Sequence, residues 1–147
     1  MSTFRPLKTS LMIACLMAFS SSFAADAMSK DEVKAAKDQI KATYKTDKAA
    51  CDKLKDNAKD VCDKEAKAKE KVAMADLEYK RTGKDSDRIK AAEVKAEQDY
   101  AVAKEKCDDK SGADKNACQK EAKAVEAKAK ADLKAEKKAE KKVTNKG

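Results

Sequence analysis

Two stretches decide the fold: residues 51–62, CDKLKDNAKDVC, and residues 107–118, CDDKSGADKNAC. Each is framed by two cysteines, and each carries a turn signal at its centre, Asp56-Asn57 in one and Ser111-Gly112 in the other. Residues of these types end one helix and cap the next. In an antiparallel helical hairpin, residues equidistant from the turn face each other. Cys51 with Cys62, and Cys107 with Cys118, stand in that relation. Four cysteines allow three pairings, which spacing alone does not normally separate. The symmetry about each turn favours 51 with 62 and 107 with 118.

Working outward, a shift of 56 positions aligns Asp31–Leu77 with Asp87–Leu133, and 20 of the 47 columns are identical. That level marks a duplication and not shared lysine content. The matched columns include Tyr44/Tyr100 and the run Lys64-Glu65-Ala66-Lys67-Ala68, which recurs as Lys120-Glu121-Ala122-Lys123-Ala124. Each copy is one supersecondary unit. Within a copy the less polar residues recur at helical spacing: Val33, Ala36, Ile40, Tyr44 and Cys51, mirrored by Ile89, Ala92, Ala96, Tyr100, Ala103 and Cys107. After the turn, Cys62, Ala66, Ala73 and Leu77 are echoed by Cys118, Ala122, Val125, Ala129 and Leu133. Steps of three, four and seven describe one helix face, so the cysteines lie on an inward stripe and the two tyrosines belong to the core.

Ser29-Lys30-Asp31-Glu32 forms a capping box that opens the first helix. Thr82-Gly83-Lys84-Asp85-Ser86 separates the copies, with Gly83 as terminator and Asp85 or Ser86 as the next cap. The expectation is an all-α chain of two tandem disulfide-stapled antiparallel helical hairpins, with helices near 30–55, 58–81, 87–110 and 114–142. Its parts are a signal peptide over 1–24, hairpin repeats over 25–81 and 82–133 (the repeat match beginning near 87), and a basic helical tail over 134–147.

The address is read from the start of the chain. Arg5 and Lys8 precede an apolar stretch, Leu11–Phe19, and small residues end in Ser22-Phe23-Ala24, the three zones of a secretory signal. The mature chain is expected to begin at Ala25 or Asp26. Cys15 follows Ala14 as a lipidation cysteine would, but Met12 and Ile13 fit a lipobox poorly. No later segment approaches the ~20 apolar residues of a membrane span. The localisation expected is periplasmic or secreted. That compartment is oxidising, which suits structural disulfides.

Composition makes the staples necessary. Between residues 25 and 133 the chain has eleven Leu, Ile and Val residues and no Phe, a level at which composition alone points to disorder. Ala, Lys and Glu oppose it as strong helix formers, and the cysteines oppose it covalently. The full chain carries a net charge of +8, and residues 134–147 hold six of its lysines, Lys134, Lys137, Lys138, Lys141, Lys142 and Lys146, against two glutamates. The hairpins are nearly balanced; the tail is basic.

The residue set is poor in chemistry. There is no His, the cysteines lack the close spacing of a metal or CxxC redox site, and three glycines form no phosphate-cradling loop. The reading is non-enzymatic, with no cofactor, no metal and no small-molecule substrate. Carboxylates are expected on solvated faces in i to i+4 pairs, as Glu65 with Lys69, or Glu136 and Glu140 with their Lys neighbours.

At residues 34–45 (KAAKDQIKATYK), 51–73 (CDKLKDNAKDVCDKEAKAKEKVA) and 100–124 (YAVAKEKCDDKSGADKNACQKEAKA), the chain resembles small exported Ala/Lys-rich proteobacterial proteins with paired cysteine-framed repeats. These are often labelled TolA-like or cell-envelope biogenesis proteins. The resemblance implies an envelope location and not Tol function, because the TolA label follows the Lys/Ala/Glu helix composition. The function expected is a structural or interaction role in the envelope, with an envelope protein or an anionic envelope component as partner. The alternative is a polyanion binder whose Lys-rich tail docks on lipopolysaccharide, anionic lipid or nucleic acid. A periplasmic chaperone would need an exposed apolar surface that the pattern does not offer.

Overall fold

The computed structural model describes residues 28–144. The leader read over 1–24, Cys15 within it, and Lys146 lie outside that span. The described residues contain four α-helices and no strand: α1 (Lys30–Cys51), α2 (Asp56–Thr82), α3 (Asp85–Lys106) and α4 (Gly112–Thr144). A short 3-10 turn, Cys107–Asp109, follows α3. The fold is all-α, and each tandem hairpin is closed by its own disulfide, Cys51–Cys62 in the first and Cys107–Cys118 in the second. The bridged Cα atoms lie 5.5 and 5.7 Å apart, within the range that a disulfide spans. The Lys-rich tail is the continuation of α4.

Local signals set the helix ends. The Ser29 N–H donates to Glu32 Oε2 at 2.8 Å and the Glu32 N–H donates to Ser29 Oγ at 3.2 Å, so the capping box closes in both directions. Gly83 terminates α2 in the left-handed region at φ 63°, its N–H donating to the Tyr79 carbonyl at 2.8 Å. The cap of α3 differs from the expectation. Lys84, in extended backbone without a side-chain cap, occupies the position expected for Asp85 or Ser86, and Asp85 is already helical. Asp85 and Asp87 instead face the helix dipole from the first turn, and the Thr82 hydroxyl donates to Asp87 Oδ2 at 2.6 Å across the turn.

The first helix of each hairpin stops sooner than its sequence implies, at Cys51 and not 55, and at Lys106 and not 110. The cause lies in one column of the repeat. Asp56 and Gly112 are equivalent positions, and both take positive φ, 51° and 54°. The chain reverses through this left-handed residue, so the preceding segment cannot remain helical up to it. Asp tolerates that conformation better than most side chains, while Gly adopts it without a Cβ penalty.

Each helix packs on its neighbours in sequence, and the most extensive contact, α2 with α3, joins the two copies. The two-residue link between Thr82 and Asp85 enforces it. Among the described residues, every buried one apart from Cys51 and Cys107 lies on these two helices: Ala66 and Leu77 on α2, and Ile89, Ala91 and Ala96 on α3. Leu77 and Ile89 stand equidistant from Gly83 beside the turn. Equivalent residues of the first copy fare differently, with Val33 and Ile40 half-buried and Ala35 exposed. Helix α3 has a neighbour on either side; α1 has one.

Position in the row also explains two departures from the inward stripe. Tyr44 and Tyr100 are half-buried and line the grooves between paired helices, so neither belongs to the buried core. Val125 remains 65% exposed. It borders the groove between α3 and α4, where Ala103 is too small to cover it.

The left-handed column gives a test by substitution. A Cβ added at Gly112 meets nothing within 4 Å, so Gly112→Ala adds backbone strain without a clash. It is expected to lower the unfolding free energy by about 1 kcal/mol, whereas Asp56→Gly should leave stability unchanged or raise it. Denaturant unfolding measures both, and the opposite ordering would contradict the turn geometry.

Candidate functional site

The exposed, charged helix faces are where the sequence places function, and their charges are organised across helices. Lys59 pairs with Asp52 beside the first disulfide, and Lys115 pairs with Asp108 at 2.8 Å beside the second. These are equivalent residues in the repeat. Hydrogen bonds from Lys59 and Lys115 hold the Asp52 and Asp108 carboxyls below the usual aspartate range. Their contribution to stability is present above the ordinary aspartate pKa and is lost as pH falls through the lowered values. As exposed pairs they fix the geometry of the hairpin ends more than they add stability.

The expected i to i+4 pairing of Glu65 with Lys69 does not form. Glu65 pairs with Lys106 of α3 at 2.7 Å, and Lys69 reaches Asp47 of α1 at 3.2 Å. With Lys64 to Glu105 at 3.4 Å, these bridges run from α2 to its neighbours on both sides. Antiparallel packing brings opposite charges face to face and competes with the local partners.

The tail shows the same substitution. Its two glutamates reach across to Arg88 of α3, at 2.8 Å from Glu136 and 2.6 Å from Glu140. Asp85 is a third partner at 3.3 Å. The guanidinium is pushed above its ordinary range by hydrogen bonds, that to Glu136 foremost, then Asp85. Arg88 thus clamps the end of α4 against the start of α3. Lys134, Lys137, Lys138, Lys141 and Lys142 recur in steps of three and four and are exposed, on a helix face beside the clamped glutamates. The structure brings these five lysines together; Lys146 lies outside the described residues. Arg88 escaped the sequence reading, and its one signal is the charge reversal in the column Glu32/Arg88.

Among the described residues, no group of three or more His, Cys, Asp or Glu side chains is placed to hold a metal ion. No described helix is long and apolar enough to cross a membrane. No protein-family model, curated protein or solved structure matches the chain.

The clamp is testable without unfolding the protein. Arg88→Gln should speed amide hydrogen exchange over residues 134–142 while the melting temperature changes by only a few degrees, because exposed ion pairs add little global stability. Unchanged exchange in that segment would show that Arg88 does not anchor it.

Proposed function

We propose that this chain is a non-enzymatic structural or interaction protein of the bacterial cell envelope, acting outside the cytoplasm. One observation supports it above the rest: both hairpins are closed by disulfides, which form and persist in oxidising compartments. The leader-like residues 1–24 agree with that address, as does the resemblance to exported Ala/Lys-rich envelope proteins. In this reading the bridges and cross-helix ion pairs hold a scaffold whose charged faces meet a partner.

A second reading, polyanion binding by the tail, is supported by the clamp on α4. Arg88 occupies Glu136 and Glu140, which reduces the acidic charge opposing the adjacent lysines. A phosphate-rich surface would meet that lysine face directly.

Cell fractionation combined with thiol alkylation checks the leading reading. The protein is expected in the extracytoplasmic fraction with Cys51, Cys62, Cys107 and Cys118 refractory to alkylation until reduced. A cytoplasmic protein with four reactive thiols would overturn it. For the tail, replacing its five described lysines by Gln should weaken heparin binding and flatten its salt dependence; unchanged binding would remove the tail from that role.

A further inference from the structure

The second hairpin carries a cationic cleft whose charge the equivalent residues of the first do not reproduce. Tyr100 and Lys104 of α3 face Asn116, Gln119, Lys120 and Lys123 of α4 across a shallow cleft of about 450 Å³. The α4 residues fall at i, i+3, i+4 and i+7, one helix face, and Tyr100 and Lys104 are one turn apart on α3. All three lysines are exposed, and none forms an ion pair among the described residues. The nearby acid Asp108 is engaged by Lys115 at 2.8 Å and accepts a long hydrogen bond, 3.4 Å, from the Gln119 amide.

The duplication supplies an internal control. Shifted by 56 positions, the six residues become Tyr44, Lys48, Asp60, Asp63, Lys64 and Lys67. The tyrosine and all three lysines are retained, while two aspartates stand where the second copy has Asn116 and Gln119. In the first hairpin, Asp63 takes Lys48 at 2.6 Å. In the second, the neutral amide of Gln119 takes the place of Asp63 in the cleft that Lys104 lines, and the carboxylate near Lys104 is Asp108, already paired with Lys115. A formal charge of +1 over this set in the first copy becomes +3 in the second with the aromatic and basic frame unchanged.

We propose that this cleft is a binding site for a phosphate group, separate from the lysines at the end of α4. Three ammonium groups balance a multiply charged oxyanion, where a single carboxylate would leave like charges uncompensated. The tyrosine hydroxyl and the Asn and Gln amides add neutral donors for its several oxygens. The group is a phosphate monoester, carried by a lipid headgroup such as that of phosphatidic acid or by a soluble compound, and both present the same three oxygens.

The experiment titrates the disulfide-bonded protein with inorganic phosphate, following backbone amide shifts over residues 100–104 and 116–123, with chloride at matched ionic strength as control. In parallel, flotation compares phosphatidylcholine vesicles with and without phosphatidic acid, whose headgroup is a phosphate monoester. Saturable phosphate shifts without flotation assign a soluble ester, and flotation only with phosphatidic acid assigns a lipid headgroup; either supports the site. The variant Asn116→Asp/Gln119→Asp, which installs the first copy's arrangement, should weaken binding about tenfold. The converse Asp60→Asn/Asp63→Gln should create a second phosphate response in the first hairpin. Exchanging the tail lysines for Gln should leave the cleft response intact. The proposal is overturned if neither phosphate nor phosphatidic acid binds, if the aspartate variant binds as well as the parent, or if only the tail exchange abolishes binding.

Discussion

Each hairpin is joined at its closed end by a covalent bond between two side chains of its inward stripe, and the remaining packing is arranged around that join. Cys51 and Cys107 are among the most deeply buried residues, and the cross-helix pairs Asp52–Lys59 and Asp108–Lys115 stand beside the bridges. A disulfide closing so short a loop contributes roughly 2 to 3 kcal/mol in the chain-entropy account. Among the described residues, Leu77 and Ile89 are the only large aliphatic side chains that are buried, each contributing about 1.5 to 3 kcal/mol. The two bridges therefore weigh as much as the two largest buried aliphatic side chains. With net stabilities of small domains near 5 to 15 kcal/mol, a core of this size depends on them.

A pair of stapled hairpins would be two loosely linked units were it not for the α2–α3 contact. The short link at Gly83 holds α2 and α3 antiparallel, alanines allow close approach, and Glu65, Lys64, Lys106 and Glu105 interlock their charges near the far end. The duplication then acquires direction, because α3 has a helix on either side and α1 and α4 do not. Selection on equivalent columns can diverge accordingly. Asp47 and Lys69 form an ion pair in the first hairpin, and Ala103 and Val125 replace them in the second. Lys48 meets Asp63, whereas its counterpart Lys104 lines a cleft in which Gln119 stands at the position of Asp63. The two copies share a frame and differ in what their faces present.

The hairpins and their disulfides were legible because three local signals agree: cysteines symmetric about a turn, a duplicated register, and capping residues at Ser29 and Gly83. The helix ends at Cys51 and Lys106 were not, since the left-handed turn at Asp56 and Gly112 is a backbone property that Asp-Asn and Ser-Gly announce only approximately. Contact between copies was hidden for another reason. An alanine such as Ala91 gives no periodic signal distinguishing a buried face from a neutral one. Arg88 and its glutamates lie 48 and 52 positions apart, beyond any local pairing rule, so i to i+4 reasoning assigned those glutamates to nearby lysines. The cleft at Tyr100 becomes visible only when unmatched repeat columns are read for charge; identity alone passes over Asp60/Asn116 and Asp63/Gln119.

Thermal unfolding of the oxidised protein beside a form with all four cysteines replaced by Ser tests the central dependence most directly. Circular dichroism should show the substituted protein melting about 15 °C lower or more, with some helix persisting at low temperature because Ala, Lys and Glu retain intrinsic helicity. Coincident melting curves would contradict the account, since the thin core would then hold the four helices without its staples.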